Sequence, residues 1–117
     1  MAAPRSLWSL VLLIAAVALA SQWWVARSDS RVGERLAQAA RDGDIRMVSS
    51  LTCPYCTQAR QWLERHRVPF DECFIERDAA CQATFDALPV RATPTLIVRG
   101  QVLTGFRADQ VLRALQR

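Results

Sequence analysis

Hydrophobic positions are distributed very unevenly along this chain. Residues 7–26 carry no charge, and their only polar members are Ser9, Ser21 and Gln22. A helix of that length extends about 30 Å, enough to cross the hydrocarbon of a bilayer. Apolar on every face, it does not suit a soluble surface. Beyond it, Val32, Leu36, Ala39 and Ala40 form a thin helical stripe that stops at Asp42-Gly43-Asp44. So thin a stripe predicts a solvated stem over 28–43. From Asp44 the period switches repeatedly. Ile45–Ser49, Phe70–Ile75 and Thr95–Val98 read as strands, and Arg99-Gly100 turns the last of them into a hairpin with Gln101–Leu103. Between them, Cys56–Arg67 repeats at Ala59, Trp62 and Leu63, which predicts a helix with Trp62 in the core. Ala79–Leu88, with Phe85 and Leu88 inward, and Asp109–Gln116, with Val111, Leu112 and Leu115 inward, complete the set. The order β-α-β-α-β-β-α predicts a mixed four-stranded sheet flanked by helices, an α/β domain over 44–117.

The first 27 residues admit two readings. As a retained signal anchor, Leu7–Ala26 is the span, with Trp23 and Trp24 at the interface and Arg27 after them. As a cleaved signal peptide, Arg5 is the basic region, Leu7–Val17 the apolar core and Ala18-Leu19-Ala20 the cleavage site. The apolar stretch continues past that site, which favours the anchor. The short segment before the span favours an extracytoplasmic, periplasmic domain, although the arginines on either side do not settle orientation.

Composition changes the picture in two ways. The chain has 117 residues and a formal charge of +4, with every basic residue an arginine. These arginines are interleaved with eleven acids and form no stripe, so a nucleic-acid surface is not expected. The four cysteines are a dense allotment for so small a domain.

Cys53-Pro54-Tyr55-Cys56 stands at a strand-to-helix junction. A thiol at a helix N-terminus is stabilised as the thiolate by unpaired N–H groups and the helix dipole. Cys56, one turn on, is placed to attack a mixed disulfide on Cys53. Pro54 suits the first helical turn, where its missing N–H costs nothing. The alternative, a zinc site completed by Cys73, Cys81 and His66, is disfavoured by the spacing of the second pair, and no metal site is expected. A binding module with purely structural cysteines is the other reading.

This motif resembles the dithiol signature of glutaredoxins, and the resemblance continues through Thr93-Pro94 and Gly105-Phe106 over about residues 44–117. It implies a thioredoxin-like fold and thiol–disulfide oxidoreductase activity. Cys53 would be the nucleophile and Cys56 the resolving thiol. Thr93 and Pro94, the latter a cis-proline, would dock the substrate, with Tyr55, Gly105 and Phe106 beside them. It implies no bound cofactor, and partners that are protein or small-molecule thiols and disulfides, with glutathione the candidate co-substrate. Two departures bear on glutathione. Ser50 stands where glutathione-using members carry a basic residue, and the last loop, Thr104-Gly105-Phe106-Arg107-Ala108-Asp109, is closer to the Ser-Gly-Phe-Arg-Pro pattern of NrdH-type redoxins.

Cys73 on the second strand and Cys81 near the start of the next helix are separated by a short loop. In an oxidising compartment a structural Cys73–Cys81 disulfide is expected. Two buried thiols or a secondary redox relay are the alternatives. His66, at the end of its helix, is expected to support the helix C-terminus rather than to react.

Overall fold

A computed structural model describes residues 4–117, so the first three residues of the 1–27 segment lie outside it. The chain separates into two compact units, one ending at Arg31 and one running from Val32 to Arg117. Helix α1, Arg5–Ala39, contributes to both.

In the first unit the helix is long and apolar enough to cross a membrane. Ser9 and Ser21 return their hydroxyls to the carbonyls of Arg5 and Val17, at 3.0 and 2.8 Å. Neither hydroxyl therefore presents an unmet donor along the apolar surface. The Arg27 guanidinium lies over the Trp23 ring, 4.8 Å from its centroid. Length and composition alone suit an anchor and a signal sequence equally.

The second unit contains β1 (Ile45–Ser49), α2 (Pro54–Arg65), β2 (Asp71–Phe74), α3 (Ala79–Asp86), β3 (Thr95–Val98), β4 (Gln101–Thr104) and α4 (Ala108–Leu115). The sheet order is β2-β1-β3-β4, with β1 parallel to β2 and the other two pairings antiparallel. Side chains alternate across the sheet, so neighbours on one strand serve different cores. Ile45, Met47, Leu96 and Val98 join Ala59 and Leu63 of α2 and Val111, Leu112 and Leu115 of α4. Val48 and Ile97 turn the other way, against Cys73, Cys81 and Phe85. The β3–β4 hairpin turns on Arg99 and Gly100, both at positive φ (47° and 82°), the conformation that a two-residue hairpin demands.

The expected stem is built differently from a solvated spacer. Val32, Leu36 and Ala40 pack into the larger core, with Leu36 fully buried, so the domain's packing starts at Val32 rather than at Asp44. The four-position stripe is thin in sequence because the rest of the core it joins, Ala59, Leu63 and Leu115 among it, lies far along the chain.

A polar clasp joins α2 to the sheet. Arg60 makes a two-pronged pair with Glu72 on β2, at 2.6 and 3.0 Å, and the buried Ser49 hydroxyl donates to the same carboxylate at 2.6 Å. The Glu72 charge is thereby satisfied from two elements, which a partly buried carboxylate requires. The carboxylate in turn raises the Arg60 pKa above its usual value.

Candidate functional site

Strand β1 ends at Ser49, and the three-residue loop Ser50-Leu51-Thr52 leads to Cys53, the N-cap of α2. Cys53 is extended (φ −105°, ψ 105°), and its Sγ accepts a hydrogen bond from the Cys56 N–H at 3.1 Å. A sulfur therefore occupies the position where a capping oxygen would meet an unpaired helix N–H. The same placement favours negative charge on that sulfur once it is reduced. Cys53 and Cys56 are joined as a disulfide, with Cα atoms 5.3 Å apart. Cys53 is partly exposed and Cys56 is 0% exposed, so only the outer sulfur is open to a second molecule.

The loop before Cys53 is held from β2's far end. Glu76 accepts from the Ser50 hydroxyl and, at 3.1 Å, from the Leu51 N–H. The Ser50 bond is the main reason that the Glu76 carboxyl sits below its ordinary pKa of 4.5. A depressed carboxylate contributes stability in full above the ordinary value and loses it as pH falls through the folded one. Glu76→Gln is therefore expected to lower the thermal midpoint at about pH 7, with the gap to the parent closing as the pH falls below the ordinary carboxylate value and through the lowered one. A gap that stays constant across a pH series of melting curves would show that the carboxylate charge does not hold this loop.

On the other side of the helix start, Thr93-Pro94 is a cis peptide. The loop around it is pinned twice. The fully buried Thr95 hydroxyl donates to the Ala92 carbonyl at 2.6 Å, and the Pro94 carbonyl accepts from the Gly105 N–H at 2.8 Å. Tyr55, Gln58, Ala59 and Trp62 of α2 then form one groove of about 350 Å³ with Thr93, Pro94, Gly105 and Phe106. The five positions that the resemblance marked for substrate, Tyr55, Thr93, Pro94, Gly105 and Phe106, thus share one surface. None of the groove's lining side chains is charged. Tyr55 is 71% exposed and Leu51 49%, so apolar surface continues around the disulfide. A second groove, between β4 and α4, is lined by Arg113, Arg117 and glutamines and offers no reactive group.

Three groove residues escaped the sequence reading. Gln58, Ala59 and Trp62 follow Tyr55 by three, four and seven positions and so lie on its helix face. That spacing was available as a signal, but it reads equally as core. Trp62 proves only partly buried, with one side against the core and its ring in the groove. His66 caps the C-terminus of α2, its N–H donating to the Trp62 carbonyl at 3.1 Å. Cys73 and Cys81 stand apart from the groove, joined as a disulfide within the smaller core.

A dithiol at the head of the helix after β1, with a cis-proline on the neighbouring loop of a four-stranded mixed sheet, defines the thioredoxin-like class. Within it the chain belongs to the glutaredoxin family, whose model matches residues 45–103, about half of the sequence. Solved structures share the fold. A glutaredoxin from Methanosarcina mazei Go1 is 21% identical with a TM-score of 0.53, the match covering 62% of this chain and 78% of that one. A glutaredoxin from Archaeoglobus fulgidus is 15% identical with a TM-score of 0.52, covering 63% and 87%. A thioredoxin-like protein is 24% identical with a TM-score of 0.53, covering 63% and 96%. No curated protein matches the chain in sequence.

Proposed function

We propose that the protein is a thiol–disulfide oxidoreductase, tethered to the membrane through residues 7–26 with its domain extracytoplasmic, that acts on protein disulfides. The observation that carries this reading is the asymmetry of the dithiol: an outer sulfur at a helix N-cap and an inner one buried behind it. In the reduced protein the Cys53 thiolate attacks one sulfur of a client disulfide, forming a mixed disulfide and expelling the other client sulfur, which takes up a proton. Cys56, deprotonated, then attacks the Cys53 sulfur and releases the second client thiol. Two electrons leave the dithiol, which ends as the Cys53–Cys56 disulfide, and an external thiol reductant resets it by the reverse exchange. Thr93 and Pro94 offer the client a backbone edge, while Tyr55, Gly105 and Phe106 receive a neighbouring side chain.

The uncharged groove favours a protein segment over glutathione. Glutathione brings two carboxylates, which gain little from a surface without a cationic partner and lose hydration on it. The Glu76 carboxylate beside Ser50 adds like charge to the approach. The full chain in detergent, kept reduced by dithiothreitol, is expected to reduce insulin about tenfold more efficiently than a glutathione mixed disulfide, judged by kcat/KM. No rate above dithiothreitol alone on either substrate overturns the oxidoreductase reading. A preference for the glutathione substrate overturns the client assignment. On intact spheroplasts the same assay checks placement: insulin cannot cross the membrane, so only an outward-facing domain reduces it.

A further inference from the structure

The inner end of the groove connects to a part of the domain that the thiol chemistry does not use. Trp62 and Phe106 both line the groove, with ring centroids 5.4 Å apart. Trp62 also meets the His66 imidazole, at 4.2 Å between centroids and a tilt of 44°. That imidazole lies against α1 at Gly33. A Cβ on residue 33 would stand 2.2 Å from His66 Nδ1 and 2.5 Å from its Cγ, far inside van der Waals contact. The ring's Cγ moves only with χ1, so clearing that space requires a different rotamer and the loss of the Trp62 contact. Gly33 is buried within a helix, where glycine is otherwise disfavoured, and its role here is to provide space. Val32 and Leu36, on either side, hold that stretch of α1 in the core.

We propose that His66 is a positioning residue for the groove. Held between Gly33 and Trp62, it transmits the seating of α1 to the Trp62–Phe106 wall, and so sets how well a client side chain fits. His66 touches no reacting atom and acts through Trp62. This inference rests on the groove being the client site. It differs from ordinary core packing in one respect. Packing alone predicts losses of stability, coupled between the two positions because they touch, with KM unmoved, whereas positioning predicts a change in client binding with the sulfur chemistry intact.

The test is a cycle of Gly33→Ala, His66→Ala and the double variant in the full chain. Each single change is expected to raise KM for insulin by about tenfold and leave kcat unchanged. In the His66→Ala background, Gly33→Ala should add nothing, because the ring it would strike is gone. A second readout needs no activity: with Trp8, Trp23 and Trp24 replaced by Phe, Trp62 emission reports the wall directly. Its maximum should shift in both single variants and coincide in the His66→Ala and double variants. Multiplicative KM effects, or a Trp62 spectrum unmoved by either change, overturn the proposal. If Gly33→Ala fails to fold, His66→Ala decides alone, an unchanged KM and spectrum overturning it. If even the parent reduces no insulin, the functional reading fails while the emission cycle still decides the positioning.

Discussion

Full-length protein carrying Cys53→Ser is expected to lose insulin reduction by about a thousandfold or more, while Cys56→Ser stops one step later with the client attached. The difference follows from burial and capping. Cys53 Sγ is the exposed sulfur and already sits where the Cys56 N–H points at it, 3.1 Å away. A serine hydroxyl can take the same cap, so the helix start survives, but it does not ionise near neutral pH and cannot attack a disulfide. Cys56 has no route to a client, being fully buried, and its expected task is resolution. Without it the mixed disulfide on Cys53 persists until an external thiol removes it. Non-reducing electrophoresis of each variant with a disulfide-bonded client separates the roles: Cys56→Ser should carry a covalent adduct and Cys53→Ser none. Full turnover by Cys53→Ser, or capture by that variant alone, would reverse or remove the assignment.

Much of this architecture was legible because its signals are local. Strands β1 and β3 fall where the apolar runs place them, and the Arg99-Gly100 turn carries its own conformational demand. The Cys53–Cys56 pair was legible for the same reason, since a helix cap and a one-turn spacing lie within four residues. The glutaredoxin resemblance brought Thr93, Pro94, Gly105 and Phe106 to the same surface, which spacing alone could not do. What stayed hidden depends on distant partners. Leu36 is core only within a cluster whose other members, Leu63 and Leu115 among them, lie far along the chain, and Gly33 looks like any helical glycine until the His66 ring is set against it. Glu76 gave no signal, because its bonds to Ser50 and Leu51 span some 25 positions of sequence. Trp62 was ambiguous for a different reason: a large aromatic can fill a core with one edge and face a groove with the other.

The second large effect concerns stability. Cys73→Ala with Cys81→Ala is expected to lower the domain's thermal midpoint by about 10–20 °C without lowering insulin reduction at room temperature. Helix α3, Ala79–Asp86, has only eight residues, too few to persist on its own. Its start is capped by Asp78, whose Oδ1 accepts from the Ala80 N–H at 2.9 Å and the Cys81 N–H at 3.4 Å. Beyond that cap, it is held by Cys81, fully buried, and by Phe85 against Val48 and Ile97. The Cys73–Cys81 link, eight positions long with Cα atoms 5.9 Å apart, ties α3 to β2. Closing so short a loop removes about 2.5 kcal/mol of unfolded-chain entropy, a sizeable share of a small domain's stability. Neither cysteine lines the groove, so client binding and the Cys53 chemistry should be untouched while the fold holds. Calorimetry and insulin reduction on the same preparation give the answer. A midpoint within a few degrees of the parent would show that the apolar cluster alone holds α3. A well-folded double variant with lost turnover would instead make the second pair a relay for electrons passing to Cys53 and Cys56.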